Sequence, residues 1–196
     1  MQIEYEATFE NVDKDEMRAR LKKARAKLVR PEFMSRRFTF ALPGGNDTPN
    51  AWIRVRDNGK KVTQTLKIVD NGKIENQKEL EITVGDFDDT VEFLEKIGCR
   101  KKAYQETRRE RWILDGVEVT IDEWPFLEPF VEVEGKNESD VRNISDKLGF
   151  DWGKALFCAI GHLYERKYNF SEDYFNNNVP KITFDMENPF INIKPE

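Results

Sequence analysis

The stretch PFVEVEG, residues 129–135, alternates apolar and acidic side chains with a period of two. In an extended segment successive side chains point to opposite faces, so Val131 and Val133 share one face and Glu132 and Glu134 the other. In an open sheet such an acid face meets water and says nothing about function. In a closed sheet with its apolar face outward, the two carboxylates share an enclosed lumen and need a cation. Which of these holds decides the fold.

The same parity recurs outward from this stretch. Eight segments read as strands, at about 2–9, 33–42, 50–57, 61–69, 77–84, 105–115, 117–123 and 129–135. Turn signals separate several of them: Pro43-Gly44-Gly45, Asp57-Asn58-Gly59, Asp70-Asn71-Gly72 and Asp115-Gly116. In the first segment Ile3, Tyr5, Ala7 and Phe9 oppose Glu4, Glu6 and Thr8. Ile53 and Val55 oppose Arg54 and Arg56, Leu66 and Ile68 oppose Lys67, and Leu80 and Ile82 oppose Glu79 and Glu81. Phe38 and Phe40 oppose Arg37, Trp112 and Leu114 oppose Arg109 and Arg111, and Val119 and Ile121 oppose Glu118 and Asp122.

Like charges adjacent on one strand face repel, so Glu-x-Glu and Arg-x-Arg pairs gain a fold nothing unless an opposite charge sits between them. Helical segments are plentiful enough to cover the apolar faces. One starts at Asp13, with Glu16 completing a capping box and Met17, Leu21, Ala24 and Leu28 as its apolar stripe. Another spans about 87–97 and ends at Gly98; a third starts at Asn137 and carries Val141, Ile144 and Leu148 before Gly149. A fourth helical stretch covers about 154–167. Eight antiparallel strands are about the number that closes into a barrel with room for one small ligand.

Closure with the charged face inward collects eight acids (Glu4, Glu6, Glu79, Glu81, Glu118, Asp122, Glu132, Glu134) and six bases (Arg37, Arg54, Arg56, Lys67, Arg109, Arg111). Enclosed carboxylates demand compensation, and an oxygen-only donor set without a His or Cys cluster favours Mg²⁺ or Mn²⁺ over zinc. The bases match a strongly anionic ligand, since the planar fork of arginine fits phosphate oxygens. Tunnel, cation and basic clamps together describe a site for a polyphosphate chain.

The ordered motifs resemble the CYTH superfamily, the triphosphate tunnel metalloenzymes, over about residues 2–135. That family includes class IV adenylyl cyclases, thiamine triphosphatases, inorganic triphosphatases and fungal RNA triphosphatases. Its opening Glu-x-Glu-x-Lys is similar to EYEAT, with Glu4 and Glu6 in place and Thr8 where the pattern has lysine; Arg111 and Arg37 are the candidates to supply that charge. Its Arg-x-Arg strand resembles WIRVR (Arg54, Arg56), its following lysine QTLKI (Lys67), and its second Glu-x-Glu KELEI (Glu79, Glu81). TRRERW supplies Arg109, TIDEW supplies Asp122, and FVEVEG supplies Glu132 and Glu134.

The resemblance implies an α+β fold: an eight-stranded antiparallel β-barrel tunnel flanked by helices, with a helical C-terminal extension. Residues 1–170 form the tunnel domain and 171–196 a tail. It further implies hydrolysis of the terminal phosphoanhydride of a small-molecule triphosphate (tripolyphosphate, thiamine triphosphate or a nucleoside triphosphate) with Mg²⁺ or Mn²⁺. The alternatives are an adenylyl cyclase making cyclic AMP from ATP, and a non-catalytic polyphosphate- or nucleotide-binding module. Glu4 and Glu6 are expected to orient or deprotonate the attacking water. Arg37, Arg54, Arg56, Lys67, Arg109 and Arg111 are expected to clamp phosphate, and Glu79, Glu81, Asp122, Glu132 and Glu134 to hold metal.

Composition narrows the partners. The net charge is −5, from 32 basic and 37 acidic residues, which argues against a general nucleic-acid coat. No apolar run approaches membrane-spanning length, so the expected location is the cytoplasm, without a membrane partner; a homodimer is compatible with the sequence. The lone histidine, His162, reads as structural or surface-lying, and Cys158 as a small buried hydrophobe.

Overall fold

The structure, a computed structural model, describes residues 1–46, 48–70 and 72–191. Asn71 of the turn expected at 70–72, and the last five residues of the expected tail, lie outside the described residues. The strands are β1 (Gln2–Ile3), β2 (Tyr5–Phe9), β3 (Lys27–Ala41), β4 (Ala51–Asp57), β5 (Val62–Val69), β6 (Gln77–Val84), β7 (Arg100–Leu114), β8 (Val117–Glu123), β9 (Phe130–Gly135) and β10 (Lys181–Ile182). The helices are α1 (Lys14–Lys23), α2 (Phe87–Lys96), α3 (Glu138–Lys147), α4 (Ile160–Tyr168) and α5 (Glu172–Asn178).

The sheet runs β1-β6-β5-β4-β3-β7-β8-β9-β2, with β10 pairing in parallel to β7. Its two ends are consecutive in the chain. β1 pairs with β6, β2 pairs with β9, and only Glu4 lies between them, its backbone N–H donating to the Gln77 carbonyl at 2.9 Å. The first expected strand is therefore one stave broken at a single residue, and that break closes an antiparallel, nearly complete barrel.

Local chemistry explains the borders. Asp13 caps α1 by accepting from the Glu16 N–H at 2.8 Å, Asp86 caps α2, and Asn137 caps α3. Asp115 and Gly116 both take positive φ, 51° and 86°, as a two-residue hairpin turn between twisted strands requires. The expected stripe of α1 is shorter than the sequence suggests. The helix ends at Lys23, Arg25 turns left-handed (φ 64°), and Leu28 lies exposed at the start of β3. β3 begins six residues before the expected position 33, and its ladder to β7 shifts register between Leu28 and Phe33. Pro31 stands inside that interval and has no N–H to give the ladder.

The apolar faces point outward under the helices. Ala7, Phe9, Val119, Ile121, Val131 and Val133 pack with Met17 and Leu21 of α1 and Val141, Ile144 and Leu148 beyond and within α3. Each fully buried Val, Leu, Ile, Met or Phe side chain among them contributes about 1.5–3 kcal/mol. α2 covers Phe40, Ile53 and Val55 through Phe87, Val91 and Leu94. The cover is incomplete over β6, where Leu80 and Ile82 are each 52% exposed.

The region after α3 departs from the single helix expected at 154–167. A short 3₁₀ turn (Trp152–Lys154) precedes an extended segment in which Leu156 exchanges both backbone hydrogen bonds with Thr8, at 2.9 and 3.0 Å. Only then does α4 begin. α4, α5 and the residues after them bury Tyr164, Phe170, Phe175, Ile182 and Phe190 against Trp124 and Phe130. Among the described residues no helix is long and apolar enough to cross a membrane.

Candidate active site in the tunnel

Inside the barrel lies a cavity of about 670 Å³. Of the thirteen residues assigned a site role from sequence, twelve line it; Asp122 is the exception. Asp122 is fully buried behind Arg109, accepting from its Nε at 2.6 Å through Oδ1 and from the Thr120 hydroxyl at 2.5 Å through Oδ2. One oxygen orients the arginine while the other is taken by Thr120.

Because the barrel has eight staves, counting β1 and β2 as one, each stave faces the fourth one round. The β1/β2 stave therefore stands opposite β3, and β9 opposite β4. The acids Glu4, Glu6, Glu132 and Glu134 thus face the arginines Arg37, Arg54 and Arg56 across the lumen. The staves between these poles carry mixed pairs.

At the acidic pole, Glu6 lies directly across the ladder from Glu134, and Glu134 in turn lies across from Glu118. Oxygens of Glu4, Glu6 and Glu134 lie within 4.8 Å of one another. Glu6 is only 8% exposed, and its carboxyl is pushed well above the ordinary range by burial and then by Glu132, Glu4 and Glu134. Burial, Glu4 and Glu118 push Glu134 up to about 7. Glu132 is raised too, chiefly by burial, although it accepts a charge-assisted bond from Arg109. Glu4 differs. Burial works against its charge, but Lys67 at 2.7 Å outweighs that and holds it below the ordinary value.

At the basic pole, Arg37 pairs across the β3–β4 ladder with Arg56, and Arg54 with Thr39. Arg37 is 7% exposed; its Nη2 donates to the Thr107 hydroxyl at 2.8 Å and its guanidinium covers the Trp124 ring at 4.6 Å. Burial, then Arg54 and Arg56, drive its pKa well below the usual value. Arg54, then burial, lowers Arg56 to about 9. The Nε atoms of Arg37, Arg54 and Arg56 are all buried without a hydrogen-bond partner. Three orphaned cationic donors on one wall are an unmet demand for an anion.

The intermediate staves are self-compensated. Lys67 reaches Glu79 at 3.5 Å as well as Glu4, and Glu81 meets Arg56 at 3.2 Å, Lys61 at 3.3 Å and Arg54 at 3.7 Å. Arg111 forms a bidentate pair with Glu118 near the tunnel mouth. Thr8, at the lysine position of the family pattern, lies opposite Glu132, and the cation on Glu132 is Arg109. Sequence reading missed the neutral lining: Ser35, Gln77, Gln105 and Thr107 share the inward parity of the charged residues and line the same cavity. Their uncharged side chains gave no like-charge conflict to flag them.

The CYTH domain model matches residues 2–151. The chain belongs to the CYTH domain family. No curated protein matches it. Among solved structures, a conserved hypothetical protein of Pyrococcus furiosus is similar at 20% identity, covering 82% of this chain and 99% of that one with a TM-score of 0.69. An adenylate cyclase candidate of Vibrio parahaemolyticus is similar at 11% identity, covering 84% and 98% with a TM-score of 0.71. An adenylyl cyclase candidate of Hippeastrum, described as having a dominant triphosphatase activity, matches at 11% identity, covering 84% and 96% with a TM-score of 0.56. At these identities the likeness is one of fold.

Proposed function

We propose that this CYTH protein is a divalent-metal-dependent enzyme that hydrolyses the terminal phosphoanhydride of a triphosphate. The observation that carries the reading is the pair of opposed poles: three arginines whose Nε atoms are buried and unpartnered, facing a cluster of three carboxylates. A phosphate chain lying between them satisfies the arginines, and a cation satisfies the acids.

The donor set fits Mg²⁺ or Mn²⁺. Glu4, Glu6 and Glu134 offer oxygens only, already gathered, and like charges so close favour a hard divalent ion. Glu79, Glu81 and Glu132 extend this set once an anionic substrate draws their arginine and lysine partners away. When bound there, such an ion neutralises phosphate oxygens and acidifies a water. Arg37, Arg54 and Arg56 grip the phosphate chain, with Lys67 and Arg109 closing on it from the intermediate staves. Asp122 keeps Arg109 aimed into the lumen. Glu6, whose proton affinity is raised by burial and then by Glu132, Glu4 and Glu134, is suited to take a proton from the attacking water.

Incubation with tripolyphosphate and with ATP, each with Mg²⁺ or Mn²⁺, tests the proposal. Orthophosphate release that stops on chelation supports it. Cyclic AMP with pyrophosphate replaces it by a cyclase, and saturable binding without turnover by a binding module.

A further inference from the structure

We propose that His162, Glu165 and Glu172 form a second cation site, of zinc type, joining α4 to α5 at the tunnel end that both helices line. His162 and Glu165 stand three residues apart on α4 and so share one helix face. The His162 Nδ1 lies 2.7 Å from a Glu165 oxygen. Glu172 comes from the first position of α5, and one ligand atom from each of the three lies within 4.8 Å of the others. A tetrahedral zinc ion with bonds near 2.0–2.2 Å needs ligand atoms roughly 3–4 Å apart, so the His162–Glu165 pair opens slightly from 2.7 Å while any approach near 4.8 Å contracts.

A neighbouring feature maintains the approach of Glu172. A Cβ at Gly161 would fall 2.7 Å from the Glu172 Cγ, so only glycine leaves room for that side chain against the α4 backbone. Gly161 and Glu172 also line the tunnel cavity, so the cluster reaches its wall through Glu172. The chemistry differs from that of the acidic pole. An imidazole nitrogen beside two carboxylates selects a borderline ion such as Zn²⁺ over Mg²⁺, so the two sites can fill independently. His162 and Glu165 keep 31% and 39% of their side-chain surface, so an ion reaches them without unfolding.

His162 is the single histidine of the chain, so its ring nitrogens report this site alone. The test titrates Zn²⁺ into the ¹⁵N-labelled full chain with Mg²⁺ in excess. The expected result is a saturable shift of the His162 ring resonances at a one-to-one ratio. In Glu172→Gln the midpoint rises by at least about tenfold, while in Glu134→Gln, altered only in the tunnel, it stays put. Ring resonances that ignore zinc, or a midpoint unchanged in Glu172→Gln, overturn the proposal and leave an ordinary helix-surface His–Glu pair.

Discussion

On one side of the tunnel Glu6 lies directly across a strand ladder from Glu134, and on the other Arg37 lies directly across from Arg56. Both are like-charge pairs on the wall of one lumen, yet they relieve the conflict differently. A crowded carboxylate can take up a proton, as the upward shifts of Glu6 and of Glu134, the latter to about 7, describe. A guanidinium keeps its proton, so the basic pole needs an anion. Without substrate Arg54 and Arg56 pair with Glu79 and Glu81, yet their Nε atoms, like that of Arg37, stay unserved. The acidic pole can therefore stand without its ion by protonating, whereas the basic pole stays poised for phosphate.

The largest effect that sharpens this contrast is on turnover. Glu6→Gln should lower tripolyphosphate hydrolysis by about 10²–10⁴-fold, the usual worth of a general base, with substrate affinity little changed. Wild-type turnover in that variant would remove Glu6 from the chemistry. Next comes the basic pole: Arg54→Ala and Arg56→Ala should each weaken tripolyphosphate binding by about 1.5–3 kcal/mol, the scale of a hydrogen bond to a charged group. Calorimetric affinities equal to wild type in both, with the fold intact, would break the assignment of that wall to phosphate.

A smaller effect concerns protons. Glu134 has its folded pKa raised to about 7 from an ordinary 4.5, so it binds its proton more tightly in the folded state. The resulting stability is fully present below the unfolded value and is lost as pH rises through about 7. Metal-free protein should accordingly lose about 1–3 kcal/mol between these limits, and Glu134→Gln should flatten the loss. Chemical denaturation at a series of pH values in chelator checks it; a stability curve with the same slope in variant and wild type would put Glu134 in contact with solvent.

The smallest effect belongs to a stave between the poles. Arg111 is already paired with Glu118 and its side chain is 38% exposed, so Arg111→Ala should cost less than about 1 kcal/mol of tripolyphosphate affinity. A loss as large as that of Arg54→Ala would erase the distinction between poles and self-compensated staves.

Much of this arrangement could be read in the chain itself. Side-chain parity along a strand is local, so the residues that share a face with Glu132 and Glu134, or with Arg54 and Arg56, followed from counting by two. The cap at Asp13, the helix start at Asn137 and the turn at Asp115-Gly116 were equally local. β3 was harder, because Pro31 interrupts the pattern while pairing with β7 carries the strand through it. Leu156 pairs with Thr8 where periodicity suggested a helix, because the neighbouring edge of β2 offered it a backbone partner.

The alternation of charged and apolar faces on eight staves, and the membership of each face, follow from the chain alone. Closure of the ring through the break at Glu4, which sets the acidic staves opposite the arginines, came from the folded molecule. The fold also decided that Asp122 holds Arg109 rather than facing the cavity, that Arg109 is the cation beside Thr8, and that three arginine Nε atoms are left without partners. The physical reason is range. Parity follows from bond geometry between neighbours along one strand, whereas charge compensation depends on register and on which staves meet across a lumen. Those are properties of the closed ring and of no single segment.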